Sequence, residues 1–221
     1  MKAEISPYLE TLKQSVKKKI SVLLNNQTIS KDAFDFHFKD ELSLLFQHYY
    51  LESINNRQNY FGTSNFFRVF KQKYALQGID GSHLARLERE KETILQLINN
   101  RELSELYFSF FANVRLKHGA KFVNKNLGSF FTKLVHTFMP DEFCALDNPI
   151  KNHFGLGGES FYIAFIIVSN AYREWVSENS NLMQQIRLEL ERNKAGQPFS
   201  TKMTDIKLLD LIFWYQVNEI G

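Results

Sequence analysis

The sequence predicts an all-α fold, a compact multi-helix domain, and three observations carry the prediction. Ten Gly and four Pro in 221 residues are few, which leaves little punctuation for the tight turns of a many-stranded sheet. Apolar residues recur at three- and four-residue spacings along most of the chain, the period of one helix face. Hydrophobic residues make up 44% of the chain, enough to bury a sizeable core and to exclude wholesale disorder.

Ser6-Pro7 reads as an N-cap with proline at the first helical position, and Leu9, Leu12, Val16, Ile20 and Leu23 continue that helix to about Asn25. Ser30 with Asp32 opens a second helix, with Phe34, Phe38, Leu42, Leu45, Phe46 and Tyr49 on one stripe, to about Asn55. The stretch from Asn55 to Ser64 is a polar connection, followed by a third helix through Phe66, Phe67, Phe70 and Tyr74. After the turn Gly78-Ile79-Asp80-Gly81, Ser82 caps a helix carrying Leu84, Leu87, Ile94 and Ile98. Arg101 to about His118 reads as another helix, with Gly119 as its stop. Asn126 to Met139 is a further helix ended by Pro140, and Asp141 to Asn148 is an extended crossing or at most one helical turn. Gly155 to Gly158 forms a loop before Phe161 to Val176, which is apolar nearly all round and therefore central. Met183 to Arg192 and Asp205 to Val217 complete roughly nine or ten helices. The weakest seam lies near Asn99-Asn100; it separates an N-terminal helical region, 1–100, from a C-terminal one, 101–221, unless the two form one continuous domain.

Several function classes are excluded. The single cysteine, Cys144, rules out an internal disulfide and a cysteine-based zinc site, and reads as a small core residue in a reducing cytoplasm. The most apolar run, Phe161 to Val168, is far short of the roughly 18 to 20 residues that span a bilayer, and the first residues lack the apolar block of a signal peptide, so no membrane partner is expected. Phosphate-loop, HExxH, GxSxG, EF-hand and GxGxxG patterns are absent, and nothing supports a bound metal or organic cofactor. Gly155-Leu156-Gly157-Gly158 comes nearest to a phosphate cradle, but no lysine and hydroxyl pair follows it.

Charge is distributed unevenly. No acidic residue lies between Glu105 and Asp141, while Arg115, Lys117, Lys121, Lys125 and Lys133 lie in that stretch and the remainder of the chain is net acidic. Arg115, Lys117, Lys121 and Lys125 are the candidate phosphate contacts, with Gly128 and Ser129 at the start of the following helix, where unsatisfied amides favour anions. Arg115 and His118, three apart on the expected helix, resemble the Arg/His pair of helical ribonucleases at a shorter spacing than those use.

The most specific segment runs from Asn126 to Ile150 and carries Thr132, Lys133, His136, Pro140, Phe143 and Asp147 in order. It resembles a pattern in prokaryotic proteins of uncharacterised function, and through them the helix-hairpin-helix DNA glycosylases; the final helix, with Asp210 to Trp214, is similar to the closing helix of the same proteins. The resemblance implies Lys133 as the catalytic amine and Asp147 as the carboxylate beside the sugar, with His136 as a third catalytic candidate. A lysine with a lowered pKa attacks the sugar carbon of a damaged nucleotide, displaces the base and forms a Schiff base. Each residue also has a plainer reading: Lys133 as a surface lysine, His136 as a hydrogen-bonded semi-buried ring, Asp147 as a helix cap, and Trp175 and Trp214 as core anchors or pocket walls. Three functions follow as expectations. The first is a nucleic-acid-associated DNA glycosylase or abasic-site lyase acting on damaged or modified bases. The second is a non-enzymatic helical protein with a protein partner, such as a defence or mobile-element component. The third is a helical ribonuclease.

Overall fold

Apolar residues four apart build the first helix, and it packs on the most apolar segment of the chain. In this computed structural model, which describes residues 7–26, 28–119 and 121–220, α1 (Pro7–Leu24) buries Val16, Ile20 and Leu24 against α11 (Phe161–Glu178). Lys13 and Lys17 reach across to Glu174 and Glu178 at 2.6 Å, and Trp175 Nε1 donates to Ser21 Oγ at 2.9 Å. Ser6, the expected cap of α1, lies outside the described residues. α11 is central as its composition predicts, capped by Ser160, whose hydroxyl accepts from Ile163 N–H, and buried along Phe165, Val168, Tyr172 and Trp175.

Two long helices expected from periodicity are each divided. The second becomes α2 (Ile29–His37) and α3 (Glu41–Asn55), because Asp40 caps a new helix by accepting from Ser43 N–H at 2.8 Å. The helix after Ser82 becomes α6 (Gly81–Arg89) and α7 (Lys91–Asn99), and the cap of α6 is Asp80, two residues before Ser82. The connection after Asn55 holds a further helix, α4 (Arg57–Gly62), ahead of α5 (Phe66–Lys73). The interruptions raise the number to thirteen α-helices among the described residues.

The largest departure follows α8 (Leu103–Phe110). The expected helix to His118 ends at Phe110, and the chain forms an antiparallel hairpin, β1 (Val114–His118) and β2 (Lys121–Lys125). Val114 and Leu116 alternate with Arg115 and Lys117, a period of two that buries one face, and Gly119 takes a positive φ of 61° at the turn that the sequence marks as a helix stop. Arg115 and His118 therefore share no helix face. The element leading into α9 (Gly128–Phe138) is accordingly strand β2 rather than the first helix of a helix-hairpin-helix.

α10 (Asn148–His153), α12 (Ser180–Arg192) and α13 (Asp205–Tyr215) complete the chain, with a wider π-type turn at Gln216–Ile220 after α13. One contiguous apolar cluster draws on α1 through α13. Its centre is rich in aromatic rings, among them Phe67, Phe70, Phe111, Phe130, Phe131 and Phe165. No helix among the described residues is long and apolar enough to cross a membrane.

Candidate functional site

α9 is held on nearly every side, and its few polar side chains position the site. Phe130, Phe131, Leu134, Val135 and Phe138 are buried, and the ring of Phe161 lies so close to Gly128 that a Cβ there would strike it. Thr132 Oγ1 donates to Leu146 O at 2.6 Å, and His136 Nδ1 donates to Phe143 O at 2.6 Å. These two bonds fasten the non-helical segment 141–147 to α9. His136 Nε2 accepts from Tyr50 OH at 2.8 Å, which ties α3 to the same place.

The fastened segment presents two groups to a neighbouring cavity. Ala145 N–H donates to Asp210 Oδ2 at 2.8 Å, and Asp147 caps α10 by accepting from Ile150 N–H at 3.1 Å through Oδ1. Pro149 follows in the first turn of α10, where its missing N–H costs nothing. The cavity is about 420 Å³. Lys133 enters it from α9, Lys207 and Asp210 from α13, and Asp147 from the start of α10. Phe36, Phe46, Tyr74 and Trp214 supply aromatic wall, with Gln47 and His37 between them.

Lys133 and Asp147, fourteen residues apart in sequence, therefore share one cavity. His136 does not line it. That ring is fully buried, both its nitrogens are engaged, and burial with the Lys207 charge nearby pushes its pKa down to about 3. Its two bonds make it a fastening residue, buried more completely than the semi-buried ring the sequence suggests. The four hairpin cations, Arg115, Lys117, Lys121 and Lys125, do not line the cavity either, and all four are exposed. Gly128 is packed against Phe161, while Ser129 Oγ accepts from Lys133 Nζ at 3.0 Å and so orients that amine. Trp175 is a core anchor and Trp214 a cavity wall. Cys144 is fully buried, with its sulfur 3.3 Å from Ser169 Oγ, and burial raises its thiol well above the ordinary value.

Lys207, Asp210, Gln47 and Tyr74 are the site residues that sequence reasoning passes over. The available signal is that Lys207 and Asp210 stand three apart in an otherwise apolar helix, a spacing that puts both charges on one buried face. Both are less than one-tenth exposed. None of the ion pairs among the described residues joins any two of Lys133, Asp147, Lys207 and Asp210. Burial dominates at Lys133, Lys207 and Asp210, opposed only in part by the attraction between the amines and the carboxylates. It lowers the Lys133 amine, brings Lys207 down to about 8 with help from the Lys133 charge, and lifts Asp210 to about 7. Lys207 Nζ rests 4.3 Å from the centroid of the Tyr50 ring, a cation–π contact. Gln47 is 2% exposed, and its Oε1 has no hydrogen-bond partner although the residue lines the cavity. An acceptor left open in this way is the kind of group a ligand donor satisfies.

Chemically, the cavity offers one amine, Lys207, that is partly neutral near pH 8, a second, Lys133, held below the ordinary lysine value, and a carboxyl, Asp210, that exchanges protons near pH 7, beside flat apolar walls. No group of three or more metal-ligating His, Cys, Asp or Glu exists among the described residues. No family model, curated protein or solved structure shows significant similarity to the chain.

Proposed function

We propose that the cavity is an amine–carboxylate active site that acts on the sugar of a damaged or modified nucleotide, as a DNA glycosylase with lyase chemistry. The observation that carries the reading is the convergence of Lys133 and Asp147 on one aromatic-walled cavity together with the buried Lys207 and Asp210. The aromatic walls suit an extruded base, because every base offers a flat face for stacking.

In this reading Lys133 is the nucleophile. Its Nζ forms a bond to C1′ of the sugar, and the glycosidic bond breaks with its electron pair leaving on the base. Asp210, poised near pH 7, supplies the proton the departing base needs and takes one from the attacking amine. Asp147 holds one carboxylate oxygen on the α10 amide and keeps the other for positive charge developing on the sugar. The ring then opens to a Schiff base on Lys133. Lys207 is the second amine, its own pKa brought down to about 8 by burial with the Lys133 charge nearby.

Borohydride reduction freezes such a Schiff base as a covalent adduct. With duplexes carrying an abasic site or an oxidised guanine, the wild-type protein is expected to give a trapped band, and Lys133→Ala to lose it. Asp210→Asn is expected to remove the limb near pH 7 from the rate profile of trapping. A folded wild-type protein that gives no adduct with any such duplex ends the lyase reading.

A further inference from the structure

The β1–β2 hairpin is an excursion from a helical body, closed at its neck by Leu127 N–H to Phe111 O at 2.7 Å and Asn113 N–H to Asn126 Oδ1 at 2.7 Å. Cross-strand partners share a face. Leu116 pairs with Val123 on the face turned to the body, and Leu116 and Val114 are buried. Lys117 pairs with Phe122 and Arg115 with Asn124 on the opposite, outward face. Phe122 is 58% exposed there, and the Arg115 guanidinium sits 4.6 Å from its ring centroid.

We propose that this outward face is a nucleic-acid docking surface, on which Phe122 stacks against an unpaired base while Arg115 and Lys117 hold the adjoining phosphates. The proposal rests on the nucleic-acid reading of the cavity and names where the strand lies.

Charge selects the occupant. The outward face carries Arg115 and Lys117; Lys121 and Lys125 belong to the opposite face, where they pair with His118 and Val114, and the hairpin has no acidic residue of its own. Asp80 touches it, but that carboxylate accepts from Lys117 N–H, Ser82 Oγ and His83 N–H together, which holds its pKa down to about 2 and engages both oxygens. A polyanion complements such a face, and an exposed ring beside a guanidinium matches a polyanion that also bears flat bases. Placement agrees. Lys125 Nζ lies 2.5 Å from the position a Cβ on Gly78 would take, and Ala75, three residues earlier, lines the cavity. Three residues span at most about 11 Å, and a strand advances about 3.4 Å per nucleotide. The Lys125 end of the hairpin thus lies close to the cavity wall, and in this proposal the strand bridges the two within a few nucleotides.

Fluorescence anisotropy with a labelled single-stranded oligodeoxynucleotide, titrated over a range of salt, tests the surface. Phe122→Ala is expected to weaken binding about tenfold with its salt dependence unchanged, since stacking carries no counterion. The Arg115→Ala/Lys117→Ala pair is expected to lower the slope of log affinity against log salt by about 1.4, for two phosphates on a single strand. Phe122→Trp should keep the affinity and show quenched emission on binding, and Val22→Ala, an exposed apolar truncation on α1, should change nothing. Phe122→Ala binding as tightly as wild type overturns the proposal. So does polyglutamate competing as well as the oligonucleotide, or no binding at low salt. Binding that persists without Schiff-base trapping removes the cavity reading and leaves the docking surface, whereas trapping with no effect of the hairpin variants does the reverse.

Discussion

His136 is bonded at both ring nitrogens, so a single neutral tautomer fits: Nδ1–H points at Phe143 O and Nε2 receives the Tyr50 hydroxyl. A second proton, on Nε2, would displace the bond received from the Tyr50 hydroxyl and place a charge in a buried site near Lys207, and the fall of its pKa to about 3 from an ordinary 6.5 follows. The sign is that of a depressed base. The stability it contributes is complete above pH 6.5 and is lost as pH falls toward 3. Ring ¹³C and ¹⁵N shifts at pH 5 should therefore report a neutral Nδ1–H imidazole, and a titration near 6.5 would contradict the burial. At this scale Lys133 and Asp147 drew notice through the resemblance of the one ordered segment that holds both, and they line one cavity. Lys207 and Asp210 were hidden because more than sixty residues separate Asp210 from Ala145, whose amide holds it, and nothing local marks such a pairing.

The short helix α10 shows an element and a site sharing one residue. Asp147 closes the N-terminus of α10 and lines the cavity, so substitutions that separate cap from charge separate the two roles. Asp147→Asn keeps an acceptor for Ile150 N–H and should leave the melting temperature near wild type while reducing Schiff-base trapping. Asp147→Ala should lose trapping and about 1 kcal/mol of stability as well. Equal stability for both variants, measured by thermal unfolding, would show that the cap is not needed. α1 was readable because its burial follows a single helical period, and α11 and α13 because they are apolar on nearly every side. The hairpin was not, since Phe110, Val114 and the preceding apolar residues continue a helical spacing by coincidence. The evidence against a helix lay in the V-R-L-K alternation and in Gly119, which serves a hairpin turn as well as a helix end. Asp40 and Asp80 divided or shifted helices because one side-chain acceptor at the right amide is enough to start a new helix.

Across the whole molecule, the apolar cluster runs unbroken from α1 to α13, so the residues around the cavity draw support from both halves of the chain. The all-α composition made that architecture legible, while the place where the helices leave a hollow depended on packing among rings that composition leaves unassigned. Cys144 occupies an informative point in this packing. It is fully buried against Ser169, and the next residue, Ala145, holds Asp210 and lines the cavity. A maleimide added to the native protein should modify this thiol far more slowly than a free cysteine and accelerate with mild denaturant, as measured by mass spectrometry. Modification at the rate of a free thiol would mean that the wall behind Asp210 is open. Since an occupant of the cavity favours the closed form by the factor 1 + [L]/Kd, the rate at which this one sulfur is alkylated becomes a gauge of occupancy, readable with no label and before any turnover is known.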